Sequence, residues 1–250
     1  MPRYDFRTPR LFVDAPLAAG GEILLDRGQA NYLRNVLRLG RGDDVLLFNG
    51  RDGEWGASLA GSDKRLVTLV VGPRLRAQPP AGDLHFLFAP LKHARLDYVV
   101  QKAVEMGASL LQPVITRHTQ VTRINLDRMR ANVVEAAQQC GVLAVPDVAE
   151  PTPIDRVADG SNRLLIFCDE SAEVTDPVTA LKAAQLAGVQ PLAVLIGPEG
   201  GFTDEERAAL LGRPKVIRIA LGPRVLRADT AAVAAMAVVQ AVLGDWRGST

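Results

Sequence analysis

Two stretches near the C-terminus hold the residues best suited to chemistry: Leu195-Ile-Gly-Pro-Glu-Gly-Gly-Phe-Thr-Asp-Glu-Glu206 and Leu221-Gly-Pro-Arg-Val-Leu-Arg-Ala-Asp-Thr230. Glycine at 197, 200 and 201 allows positive φ and lets backbone amides approach a ligand with no Cβ in the way. The competing reading is that Gly-Pro and Gly-Gly mark ordinary turns, the commoner explanation for one isolated loop. Two loops of related build favour a binding site. Neither is a usual phosphate cradle, because the chain has no Gly-Lys-Ser/Thr and no G-x-G-x-x-G opening a helix after its first strand. Nucleoside triphosphates and classical dinucleotide binding lose ground accordingly.

Such loops act only if regular elements hold them. Pro191 to Ile196 is a short aliphatic run suited to a buried parallel strand, and Thr203 with Glu206 three residues later forms a capping box for a following helix. Val216 to Ala220 repeats the pattern, with a Gly222-Pro223 turn and a helix whose early Asp229 and Thr230 suit its N-terminus. Both loops therefore sit at the carboxyl ends of strands, where open α/β sheets bind ligands.

The rest of the chain divides in two. Before Val71 the pattern is short and strand-like, as in Val45 to Gly50 and Leu66 to Val71, with Gly-Asp, Asn-Gly and Asp-Gly turns, which predicts a small β-barrel over 1–73. A Pro- and Gly-rich linker follows over 74–83. From 84 to 250 apolar strands alternate with amphipathic helices: Leu84 to Ala89, Leu96 to Met106, Leu110 to Ile115, Leu126 to Cys140 and Leu164 to Cys168. That is an α/β domain with a parallel sheet. The last helix, Asp229 to Leu243, is apolar almost all round and must be buried in the core or partly in a subunit interface.

Composition sets limits. At 250 residues and 48% hydrophobic content the chain can build a packed core. The stretch Ala231 to Leu243 is interrupted by Gln240 and too short to span a bilayer, and the first residues carry no signal-peptide apolar core, so a cytoplasmic protein with no membrane association is expected. Cys140 and Cys168 have no partners at metal-ligand spacing and read as reduced thiols, with neither disulfide nor metal. A net charge of +1 gives no global basic field, so any nucleic-acid contact must be local. Residues 1–41 hold seven Arg against four acids. Within them Arg34 and Arg38 lie four apart, and on a helix both guanidiniums would project from one face, a fork pair suited to phosphates. An ordinary solvated helix face explains that pair equally well.

The two loops, in this order and about 25 residues apart, resemble the knotted SPOUT superfamily of S-adenosylmethionine-dependent RNA methyltransferases. More narrowly the chain resembles the family that methylates N3 of a uridine in small-subunit ribosomal RNA. Further matches are Tyr32-Leu-Arg-Asn-Val-Leu-Arg38, Gln101-Lys-Ala-Val-Glu-Met-Gly107 and Glu135-Ala-Ala-Gln-Gln-Cys-Gly141. The resemblance implies a PUA-like RNA-binding barrel followed by a trefoil-knotted domain, a homodimer, and ribosomal RNA, free or in the assembled small subunit, as partner. It implies S-adenosylmethionine held by Leu195, Ile196, Gly197, Pro198, Gly200 and Gly201 of the first loop and Leu221, Gly222, Val225 and Leu226 of the second. RNA contacts fall on Arg3, Arg10, Arg34, Arg38, Lys92 and Arg117, the last two lining the RNA-facing side by resemblance. Alternatives are methylation of a ribose 2′-hydroxyl or another base, and a non-catalytic RNA-binding protein.

N3 methylation needs the imide proton removed while negative charge grows on the ring oxygens, so a nearby cation stabilises the transition state. Arg227 is the candidate; its competing role is to neutralise Asp229 or Glu199. Glu199 and Asp229 are the candidate bases, useful only if desolvated. Of the histidines, His85 reads as a core position, while His93 and His118 lie in loops near the basic candidates. Two departures stand out: Ala228-Asp229 replaces the family's Thr-Glu, and the acid and Arg that often flank the stretch Gln138 to Val142 are missing.

Overall fold

The computed structural model describes residues 7–247 except 64–65, 93, 122, 160–161, 174–175 and 186–190, so Arg3 and His93 lie outside the described residues. The chain forms two compact units, Met1–Pro80 with Ala137–Val145, and Ala81–Ala136 with Pro146–Thr250.

The first unit is built on β1 (Arg10–Phe12), β2 (Glu22–Leu24), β3 (Asp44–Phe48), β4 (Glu54–Asp63) and β5 (Leu66–Arg76), with α1 (Arg27–Asn31) between β2 and β3. The order is β1-β3-β4-β5-β2, antiparallel except where β1 runs beside β3. Alternating residues such as Val45, Leu47, Ala57, Leu59, Leu69 and Val71 turn to one side and bury a common core. Because β5 runs through Arg76, the linker begins only after it and residues 74–76 belong to the strand. The expected small barrel takes the form of a curled sheet, with β1 and β2 at the ends of its strand order among the described residues.

Of the candidates for RNA contact in this unit, Arg10 is engaged internally, and Arg34 and Arg38 lack the shared helix face expected of them. Arg10 is buried and its Nε donates to Glu54 Oε1 at 2.8 Å, while Arg76 donates to both oxygens of Glu54 at 2.7 and 2.8 Å. Arg10 therefore serves an internal ion cluster rather than a phosphate. Burial alone would raise the Glu54 pKa, but the two arginines outweigh it and hold the carboxyl below its ordinary value. Arg34 and Arg38 do not share a helix face. Tyr32–Val36 is a π-helical turn closed by Leu37 N donating to Tyr32 O at 2.9 Å, and Arg38 lies beyond it with φ at 58°. The wider turn drives Leu33, wholly buried, into the core, which is what this segment is shaped to do.

The second unit carries a parallel sheet in the order β12-β10-β11-β6-β7-β8, with β9 also pairing β7. Its strands are β6 (Leu84–Phe88), β7 (Leu110–Ile115), β8 (Asp147–Val148), β9 (Thr152–Pro153), β10 (Leu164–Cys168), β11 (Leu192–Ile196) and β12 (Val216–Ile219). The central β10 and β11 are buried at every position, as their unbroken apolar runs require of strands covered on both faces. The helices are α2 (Ala94–Glu105), α3 (Leu126–Cys140, of which residues 137–140 count with the first unit), α4 (Ile154–Asp159), α5 (Pro177–Gln185), α6 (Asp204–Leu211) and α7 (Ala228–Val242). His85 of β6 is half-buried, and burial followed by the Arg163 charge pushes its pKa below the ordinary value.

The final helix is not buried on every side. Ala232, Ala235, Met236, Val239 and Gln240 are buried, whereas Val233, Ala234, Ala237 and Val238 are partly open. Gln240, the polar break in the apolar run, donates to Met106 O at 2.8 Å and accepts from Asp245 N at 3.1 Å. Gly107 completes this contact, because a Cβ there would come 2.6 Å from Gln240 Nε2.

Candidate functional site

Three strands of the second unit end at one cleft of about 650 Å³. β11 delivers Ile196 to Phe202, β12 delivers Ala220 to Ala228, and β10 delivers Cys168, Asp169 and Glu170. The volume lies in the range of small-molecule sites.

In the first loop each glycine has its own reason. Gly201 has φ at 67°, the left-handed region, and a Cβ there would meet Glu170 Oε1 at 2.7 Å. Gly197 makes room for the Phe202 ring, which packs edge-on against Phe167 with centroids 4.9 Å apart. Gly200 lies against His118, whose Cβ would be 3.2 Å from an added side-chain carbon. Positive φ, which glycine allows at all three, is adopted at Gly201 alone of them, and recurs at Gly222 of the second loop with φ at 95°. The capping box is present as read: Thr203 accepts from Glu206 N at 3.2 Å, and Glu206 accepts from Thr203 N at 2.9 Å.

Neighbouring loops brace this one. His118 Nδ1 lies 3.0 Å from Gly200 O and 3.1 Å from Gly201 O. Both partners are acceptors, so Nδ1 carries the hydrogen and donates. Arg117 N donates to Glu206 Oε1 at 2.8 Å, and Arg95 pairs with Glu199. Through these contacts the exposed Arg117, and Lys92 three residues before Arg95, stand beside the first loop.

The second loop differs. Val225 is 85% exposed. Arg224 and Arg227 are exposed, and among the described residues neither makes an ion pair or side-chain hydrogen bond. Arg227 is the N-cap residue of α7 but caps it with no side-chain bond.

Several candidates are therefore redistributed. Arg227 and Glu199 both line the cleft, and the competing role of Arg227 as partner of Glu199 is not taken up, because Glu199 pairs with Arg95. Asp229 is not on the cleft lining; its Oδ1 accepts from Thr230 N at 2.8 Å at the start of α7. Leu195 is wholly buried in the sheet core, so of the cofactor candidates Ile196, Gly197, Pro198, Gly200 and Gly201 of its loop reach the cleft, together with Leu221, Gly222, Val225 and Leu226.

The third wall has no glycine to announce it. Asp169 has a fully buried side chain and accepts from Arg207 Nε at 3.1 Å and Arg218 Nε at 2.9 Å. The one available signal was its place directly after the apolar run Leu164 to Cys168, the same construction as the other two loops. Burial, then the Asp169 charge, pushes the Cys168 thiol up to about 12, so it is an inert lining group. Among the described residues no cluster of His, Cys, Asp and Glu could hold a metal ion, and no helix is long and apolar enough to cross a membrane.

Comparison with known proteins agrees with this architecture. Residues 77–240 match an RNA methyltransferase domain and residues 25–72 an RNA methyltransferase PUA domain. A ribosomal RNA small subunit methyltransferase E of Mycobacterium tuberculosis is 34% identical, covering 95% of this chain and 93% of its own. One of Rickettsia conorii is 28% identical over 92% and 94%. A methyltransferase from Legionella pneumophila, solved with bound S-adenosylmethionine, superimposes with a TM-score of 0.80 at 29% identity, covering 94% of this chain and 98% of that one.

Proposed function

The chain belongs to the RNA methyltransferase family that includes ribosomal RNA small subunit methyltransferase E, and we propose that it transfers a methyl group from S-adenosylmethionine to N3 of a uridine in small-subunit ribosomal RNA. The observation that carries this reading is the cleft itself: glycine backbone from the first loop on one side, and on the other Arg227, unpaired among the described residues.

The residues fit the cofactor. Gly197, Gly200 and Gly201 line the cleft without side chains of their own, and a Cβ at Gly201 would crowd Glu170 of the same lining, so the loop presents backbone to a nucleoside there. Bound there, S-adenosylmethionine supplies an electrophilic methyl carbon on a sulfonium leaving group. Ile196, Leu221 and Leu226 give the cleft an apolar lining against which a purine packs.

Arg227 stabilises the uracil as N3 loses its proton. The guanidinium offers donors to the ring oxygen where charge grows, leaving the N3 lone pair available for the methyl group that a bound cofactor would supply. The proton passes to solvent. Glu199 is held by Arg95 and Asp229 by the helix start, so both shape the loops rather than take the proton. Lys92 and Arg117, exposed beside the first loop, and Arg34 and Arg38 in the first unit contact RNA phosphates.

We place the enzyme in the cytoplasm as a homodimer, with the partly open Val233, Ala234, Ala237 and Val238 of α7 in the contact. Methylation of small-subunit RNA by the purified protein, read by nuclease digestion and mass spectrometry, tests the reading. N3-methyluridine is expected. Ribose 2′-O-methylation or another methylated base would replace the specificity, and RNA binding without cofactor binding would replace the enzyme.

A further inference from the structure

Asp169 lies at the carboxyl end of β10, wholly buried by side chain yet part of the cleft wall. Its Oδ1 accepts from Ser171 N at 3.1 Å, which fixes the carboxylate on its own turn. Its Oδ2 gathers Arg207 Nε at 3.1 Å, Arg218 Nε at 2.9 Å and a second Arg218 nitrogen at 2.7 Å. Arg207 belongs to α6, the helix launched from the first loop, and Arg218 to β12, the strand that leads into the second.

We propose that Asp169 is a positioning residue: by drawing Arg207 and Arg218 onto one oxygen, it sets the spacing of the two loops that form opposite walls of the cofactor cleft. This rests on the reading that the cleft takes S-adenosylmethionine. Two guanidiniums converging on one point repel, so without the carboxylate between them they separate. Arg207 keeps Glu170 at 3.5 Å and Asp204 at 3.2 Å as further partners, whereas Arg218 has Asp169 alone among the ion pairs of the described residues. Loss of Asp169 therefore releases β12 first and moves the second loop away from the first. Of the other carboxylates of the lining, Glu199 is engaged by Arg95 and Glu170 reaches Arg207 but not Arg218, so among the ion pairs of the described residues Asp169 alone joins the two arginines.

Calorimetric titration with S-adenosylmethionine of the wild type, Asp169→Asn, Arg218→Met and the double variant tests this, with binding stoichiometry and circular dichroism reporting the folded fraction. Asp169→Asn is expected to weaken binding on the order of tenfold, Arg218→Met by less, and the double variant no more than Asp169→Asn alone, because both changes break one link. A purely stabilising cluster would lower the melting temperature while leaving affinity in the folded fraction unchanged. Affinities within about twofold of wild type in both single variants overturn the proposal, as do losses that multiply in the double variant. Should Asp169→Asn not fold, Arg218→Met decides alone by the same criterion. A wild type that binds no S-adenosylmethionine refutes the cofactor reading instead.

Discussion

The first glycine loop is held on every side, and the second is nearly free of contacts. Around the first, Gly201 N donates to Pro198 O at 2.9 Å, His118 grips two carbonyls, Arg95 takes Glu199, and Glu206 ties both the helix start and the Arg117 backbone. On the second, Val225 stands 85% exposed and Arg224 and Arg227 keep their donors unspent among the described residues. A preorganised wall suits a ligand that always docks in one pose. Uncommitted guanidiniums suit one that arrives later and carries developing charge.

The sharpest way to break that contrast is Arg227→Ala. Turnover should fall about 10²-fold, comparable to loss of one oxyanion donor, while S-adenosylmethionine affinity by calorimetry stays within about twofold. Next comes Gly201→Ala, which forces a side chain into φ of 67° and against Glu170 Oε1. Cofactor affinity should drop about tenfold, reflecting roughly 1–2 kcal/mol of backbone strain plus displacement of Glu170. Gly222→Ala sharpens the comparison, because it meets nothing within 4 Å and carries only the strain of its φ; its loss should be smaller. His118→Ala removes one brace of several and should cost cofactor affinity only about threefold, in keeping with a single hydrogen bond of about 0.5–1.5 kcal/mol. An effect as large as that of Gly201→Ala would mean that the first loop depends on one clamp.

Stability should not intrude on rate measurements at neutral and alkaline pH. The Glu54 carboxyl is held below its ordinary value in the folded protein, so its contribution is complete above the unfolded glutamate range and lost as pH falls through the lowered value. His85 is likewise lowered, by burial first, and its contribution is complete above the ordinary histidine value and lost below it. Both losses lie on the acid side. Thermal melts should be flat in these two contributions from about pH 7 upward and decline on acidification; a decline on the alkaline side would point to another group.

What was legible in the sequence was what is local. Leu164 to Cys168, Leu110 to Ile115 and Leu126 to Cys140 form the elements that their apolar patterns predict, and the capping box joins Thr203 and Glu206, only three positions apart in the chain. The Asp169 wall was not legible, because its partners stand 38 and 49 residues further on and no glycine marks the turn. The same holds for Arg10, whose partner Glu54 lies 44 residues away. Four-residue spacing at Arg34 and Arg38 assumed an α-helical period, and the π-helical turn that buries Leu33 cancels it. Charge alone could not separate Arg10 in an ion cluster from Arg227 at an open cleft.

The central claim is that Arg227 assists ionisation of the base rather than holding the loop. Single-turnover methylation of wild type and Arg227→Ala, followed from neutral to alkaline pH alongside cofactor titration of the same preparations, tests it most directly. The variant is predicted to start about 10²-fold slow and to approach the wild-type rate as pH rises and the base ionises unaided, with cofactor affinity unchanged. A rate ratio that stays constant across the pH range, accompanied by weakened cofactor binding, would contradict it.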